Sequence, residues 1–284
     1  MNLEQLEPFL INLTFICALL ATFGYLISLI KKNNEFFKNI AYLLMIVGFI
    51  SITFVLVFRT ILAGHAPLTN FFESMIFMIA GSFFIFLIII YKYKSILIGI
   101  TIAPFICVMM AIASILPADW KAVKPLMPAL QSYWLKIHVS TVMLSYSAFI
   151  LSVITAIVYL ILLKRQNAPI SSLDKGGVKG VEKTLLMFDE LTYRLILFAF
   201  PLLAFGIISG AIWANHAWGS YWSWDPKEVA ALMTWLVYAG YLHVRRTNLW
   251  GRKGSAIIAI IGFVAVIFTY YGVNYLPGLH SYGF

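Results

Sequence analysis

Two residue types in this chain could do chemistry. Four of its eight tryptophans, Trp213, Trp218, Trp222 and Trp224, fall within one twelve-residue stretch, together with Tyr221. Its five histidines, His65, His138, His216, His243 and His280, stand apart from one another in sequence. Indole faces give a flat ligand a large stacking area at low entropic cost. An uncharged imidazole is the usual axial ligand of a haem iron. An interfacial aromatic belt would scatter its tryptophans over several helix ends, whereas three of these four are gathered in WGSYWSWDPKE, residues 218–228. The loop is also built to end in one place: Asp225 as helix N-cap, Pro226 as first helical residue and Glu228 at the reciprocal capping position.

The elements that hold these residues are apolar. The chain has 284 residues, of which 62% are hydrophobic and only 11% charged, and its mean hydropathy is +0.92. Its apolar runs approach the ~20 residues that cross a hydrocarbon core. No period-2 alternation is present, which excludes a β-barrel reading. The expected fold class is an all-α integral membrane protein of about eight transmembrane helices, forming a single polytopic domain over 1–284 with an external tryptophan-rich loop at 213–228. The spans are predicted at 9–30, 38–60, 70–91, 95–116, 138–163, 192–213, 228–246 and 255–275. The first is not expected to be a cleaved signal, because Glu4 and Glu7 precede it and no basic residue does. The segment 164–191 reads as a cytoplasmic loop that opens with a flexible stretch and closes with a short amphipathic surface helix. Cys17 and Cys107 lie within spans and form no disulfide framework.

Basic residues set the expected orientation. Arg59, Lys121, Lys124, Lys136 and Lys227 fall on one side, and the remaining fifteen of the twenty on the other. The richer side is expected to be cytoplasmic, which puts both termini and the tryptophan loop outside. The formal charge of +9 then reflects topology and contact with the lipid bilayer. Its dispersal over short segments argues against nucleic acid.

Sidedness sorts the histidines. His65, His138, His216 and His280 belong to outer helix ends or loops. His138 opens the fifth span, with Thr141 and Ser145 on its helix face. With His280 it could make a bis-histidine haem site beside the aromatic loop. His243 lies roughly 27 Å along a helix from Asp225, near the inner face, and no second inner histidine accompanies it. If it binds haem, the opposing ligand must come from another polypeptide. The five outer cations are candidates for holding haem propionates.

The pattern WAxxxWGxYWxWDPKE, followed by a span ending in YLHxR, resembles the WWD signature of the CcsA/ResC haem-handling proteins of system II cytochrome c biogenesis. The match runs through residues 213–245. GHAPLTNFFES at 64–74 and the eight-span layout agree with it. The resemblance implies that His138 and His280 ligate haem b at the outer face and act as the catalytic pair, and that His243 contributes to a second haem site within the membrane. Trp213, Trp218, Trp222, Trp224 and Asp225 would contact the cofactor, with His65, Glu73, Tyr221, Pro226 and Glu228 in support. It further implies a ResB/Ccs-type membrane partner and an apocytochrome c client carrying CxxCH. The activity would be that of the haem-binding subunit of a cytochrome c synthase, dependent on that partner. The location would be a bacterial cytoplasmic membrane, or a thylakoid membrane in a plastid. A CcmC-type subunit handing haem to a chaperone is the nearest alternative, and a non-haem transporter is the alternative from another class.

Overall fold

The structure, a computed structural model, describes residues 3–31, 34–123, 125–166 and 175–279. Among these there is no strand. The helices are α1 (Leu3–Ile30), α2 (Glu35–Ala63), α3 (Phe71–Tyr93), α4 (Ile96–Ile115), the single turn α5 (Ala118–Lys121), α6 (Tyr133–Gln166), α7 (Lys175–Trp218), α8 (Pro226–Thr247) and α9 (Gly251–Tyr270), with 3-10 turns at Pro128–Gln131 and Gly272–Tyr275. Local chemistry sets several of the ends. The Asn34 side chain accepts from the Phe36 amide at 3.0 Å and starts α2, and Asn70 accepts from the Glu73 amide at 2.8 Å and starts α3. Gly64 closes α2 in the left-handed region at φ 69°.

A helix occupies each of the eight expected spans. Among the described residues seven helices are long and apolar enough to cross a membrane, so the chain is a multi-pass membrane protein. The helix at the remaining expected span, 228–246, falls short of that criterion on composition. Helix α8 has 22 residues, about 33 Å at the α-helical rise, but Lys227, Glu228 and a basic last turn dilute its apolar stretch.

Three further boundaries differ from expectation. The segment 164–191 is not a loop with a separate surface helix. Its first three residues end α6, 167–174 lie outside the described residues, and from Lys175 onward the chain is one 44-residue helix running to Trp218. No helix breaker separates the polar first half of α7 from its apolar second half, and Asp189 is pinned by an ion pair with Arg245 of α8, at 2.8 and 2.7 Å. Helix α7 also continues six residues into the expected aromatic loop, to Trp218. Finally, α6 starts at Tyr133, so His138 lies in its second turn and does not open it.

The chain forms two compact units, Met1–Ser147 and Ala148–Gly283. In the first, α1 packs on α2 and α4, and α3 on α2 and α4. Hydroxyls link these helices where lipid tails provide no hydrophobic drive: Ser51 donates to the Leu10 carbonyl at 2.9 Å, and Ser147 to that of Met78 at 2.8 Å. In the second, α8 packs on α7 and α9. Phe149 stacks on Tyr238 with ring centroids 3.6 Å apart, and Phe200 on Trp235 at 4.9 Å. The hydroxyls of Thr234 and Thr269 meet at 2.9 Å, and those of Thr155 and Thr192 at 2.8 Å. The first three of these contacts fix α8, and hence the loop that precedes it, against α6, α7 and α9, and the fourth joins α6 to α7. Cys17 and Cys107 are buried free thiols.

Candidate functional site

The aromatic loop is short and fastened at both ends. Helix α7 stops where Gly219 takes φ 77° and donates its amide to the Asn215 carbonyl at 2.9 Å. Trp213, buried in the last turns of α7, meets Trp218 edge-on at 4.8 Å. The Ser220 hydroxyl donates to the Trp222 carbonyl at 3.0 Å, and Trp222 meets Trp224 edge-on at 5.8 Å. Trp224 itself has φ 59°, a left-handed conformation that a bulky residue avoids. Trp224 is 71% exposed and Tyr221 59% exposed. The loop holds one largely exposed tryptophan in a strained backbone position.

The end of the loop is held by two carboxylates. Glu228 accepts from the amides of Ser223 at 2.8 Å and Asp225 at 3.2 Å. With Asp225 it completes the expected capping box, and Pro226 opens α8. The buried Asp225 does more than cap. Its Oδ1 accepts from the Lys227 amide at 3.0 Å, while Oδ2 accepts from the Leu279 amide at 2.6 Å. A Cβ on Gly278 would collide with this carboxylate, which would have to shift to admit it. Asp225 thus joins the tryptophan loop to the segment one residue before His280. His280 itself lies outside the described residues.

Charges that could meet an anion are fewer than the sequence suggested. Arg59 is 1% exposed. Its guanidinium donates to Glu7 at 2.5 Å, to Glu73 at 3.0 Å and to the Lys121 carbonyl at 2.6 Å. Glu73 also accepts from the Thr69 amide and hydroxyl, at 2.9 and 2.7 Å. The Lys121 ammonium donates to the Ser114 carbonyl at 2.6 Å, one of its three possible hydrogen bonds. Arg59 is therefore a fastening of the first unit and is not available for propionates, and Lys124 lies outside the described residues. Lys136 is exposed. Lys227, in the turn ahead of the apolar stretch of α8, makes no ion pair among the described residues. Desolvation pushes its ammonium below the ordinary value, opposed by the charge of Asp225.

The histidines fall in different settings. His138 is half-buried on α6 in the first unit. The two hydroxyl-bearing residues on its face are not an open polar groove: Thr141 bonds the carbonyls of Ile137 and His138, and Ser145 is fully buried. His65 follows the Gly64 cap, and its Nδ1 lies 3.0 Å from the Ala66 carbonyl. Its Nε2 is buried and has no hydrogen-bond partner among the described residues. His216 is exposed in the last turn of α7, and His243 is exposed on α8. Next to it on the same face, Gly240 looks onto open space.

The Arg59 cluster and the Asp225 clamp were not foreseen from sequence. The first had a signal, namely charges of opposite sign at neighbouring ends of three successive apolar helices. The second had none, because its partner is a backbone amide 54 residues away.

A family model described as cytochrome c assembly protein matches residues 68–280, which take in the Asp225 clamp and the whole aromatic loop but neither Arg59 nor Glu7. The chain belongs to this family. Proteins named cytochrome c biogenesis protein CcsA agree with it over nearly full length. That of Guillardia theta is 43% identical over 96% of this chain and 95% of its own. That of Pyropia yezoensis is 42% identical over 100% and 99%. That of Prochlorococcus marinus is 43% identical over 80% and 79%. Haem handling follows from the family in general terms. Within it, the loop residues Trp213 to Glu228 and the buried Glu73 fall inside the matched region.

Proposed function

We propose that the chain works in cytochrome c biogenesis as a haem-presenting membrane subunit that takes part in attaching haem b to CxxCH apocytochromes on the outer face. The observation that carries the reading is the Asp225 clamp. One buried carboxylate ties the exposed indole platform to the chain segment that leads into His280. A flat apolar ligand stacked on Trp224 and Tyr221 would lie beside a fixed loop, with Lys227 in the first turn of α8 as a candidate cation for a propionate.

In this reading His138 and His280 are the axial ligands of the presented haem. Attachment adds each client thiol across a vinyl group. An S–C bond forms, the thiol proton goes to the other vinyl carbon, and no net oxidation takes place. The protein contributes chiefly by positioning, since a loop fastened at both ends can offer one haem face and one vinyl orientation. The CxxCH histidine then displaces one axial ligand and frees the product. His243, exposed on α8, serves an inner haem site whose second ligand comes from a ResB-type partner. The expected orientation, with loop and termini outside, requires α8 to cross as the eighth span.

The test is a reduced-minus-oxidised absorption spectrum of the purified chain, alone and with its ResB-type partner. Bis-histidine haem b bands that disappear in the His138→Ala/His280→Ala variant would support the outer site. A colourless protein in both preparations would reduce the loop to an interfacial belt.

A further inference from the structure

At the far end of α8 from the aromatic loop lies a second feature that the haem reading does not use. The chain reverses in three residues between α8 and α9, through Asn248 at φ 53° and Gly251 at φ 62°. Against this turn lies an open cavity of about 680 Å³ lined by Tyr159, Leu163, Arg245, Asn248, Trp250 and the first turn of α9, Gly251 to Lys253. All of these belong to the second unit.

The cavity carries excess positive charge. Arg245 is matched by its bidentate bond to the buried Asp189. Arg252 reaches the same carboxylate with Nε at 3.3 Å but is more than half exposed. One carboxylate therefore faces two guanidiniums, and Lys253 adds a third cation. The first turn of α9 has no side-chain cap and adds its own positive end.

The rim and floor are apolar. Leu249 and Trp250 are exposed at the turn, where an indole suits the headgroup level. Along α9, Ile257, Ile261, Val264 and Phe268 are all exposed and share the face of Lys253 at helical spacing. A free anion would use only the first of these features. A molecule with an anionic head and a hydrocarbon tail would use both.

We propose that this cavity is a specific site for the phosphate of an anionic phospholipid, with an acyl chain lying along the Ile257–Phe268 face of α9. Basic pockets between membrane helices bind such headgroups, with each Lys or Arg worth about fivefold in affinity. The site is independent of haem.

The test uses the full chain in mixed micelles and reads tryptophan quenching by brominated acyl chains. The Trp250→Phe variant is subtracted to isolate the signal of Trp250. Brominated phosphatidylglycerol should quench at a lower mole fraction than brominated phosphatidylcholine. The Arg252→Gln/Lys253→Gln variant should lose that preference, by about fivefold for each charge. Arg245 is left in place, because its removal would strand the buried Asp189. Arg252→Lys, which keeps the charge, should keep the preference and controls for misfolding. Equal quenching by the two lipids, or a preference that survives the double variant, would overturn the proposal. Loss of the preference on adding inorganic phosphate at constant ionic strength would assign the site to free phosphate, and the lipid reading would fall.

Discussion

Trp224 separates loop strain from loop function. A bulky residue in the left-handed region costs roughly 1 kcal/mol, and the fold retains it largely exposed. Trp224→Gly should relieve that strain and leave thermal stability within about 1 kcal/mol of the parent, while haem retention on purification falls. A variant that loses more stability than this and still keeps its haem would show that the residue serves the loop only. Asp225→Ala removes an N-cap, which costs about 1 kcal/mol, and also releases the Leu279 amide. Gly278→Ala strikes the same carboxylate from the opposite side. Both variants should broaden or weaken the haem spectrum in the same way, although they lie 53 positions apart in the chain. Of these residues, the cap role of Asp225 could be read from Asp-Pro-Lys-Glu alone. Its clamp could not, because a backbone amide leaves no mark in a sequence.

At the scale of elements, the long α7 is the largest departure from the sequence reading. The change of composition near Leu191 looked like a boundary, but composition sets environment and only Gly or Pro reliably breaks a helix. The Asp189–Arg245 pair gives a direct check. Asp189→Asn should speed hydrogen exchange over 180–191 and leave 200–218 unchanged, whereas a separate surface helix would show no such coupling. Helix α8 was legible in position yet atypical in composition. Its buried face, with Thr234 and the stacked Tyr238, matches other helices and not lipid. Thr234→Val should cost only about 0.6 kcal/mol, the usual worth of an interhelical hydrogen bond in a membrane protein, as read from thermal denaturation in detergent.

For the whole molecule, the number and order of apolar segments were plain in the sequence, because crossing a bilayer demands long apolar runs. The wiring of charges between them was not. Arg59→Leu should cost about 3–5 kcal/mol by stranding Glu7 and Glu73. Replacing all three with apolar residues of similar volume should recover most of that loss, measured by thermal aggregation of the detergent-solubilised chain. The same cluster has a consequence for how the protein is made. Glu7 enters the membrane first, Arg59 follows in α2, and Glu73 arrives last with α3. During synthesis the arginine meets one counter-ion from a helix already in place and waits for the other. Helix α1 thus offers α2 its earliest counter-charge. A generic apolar helix in its place would leave α2 with a charge that it cannot settle until α3 emerges.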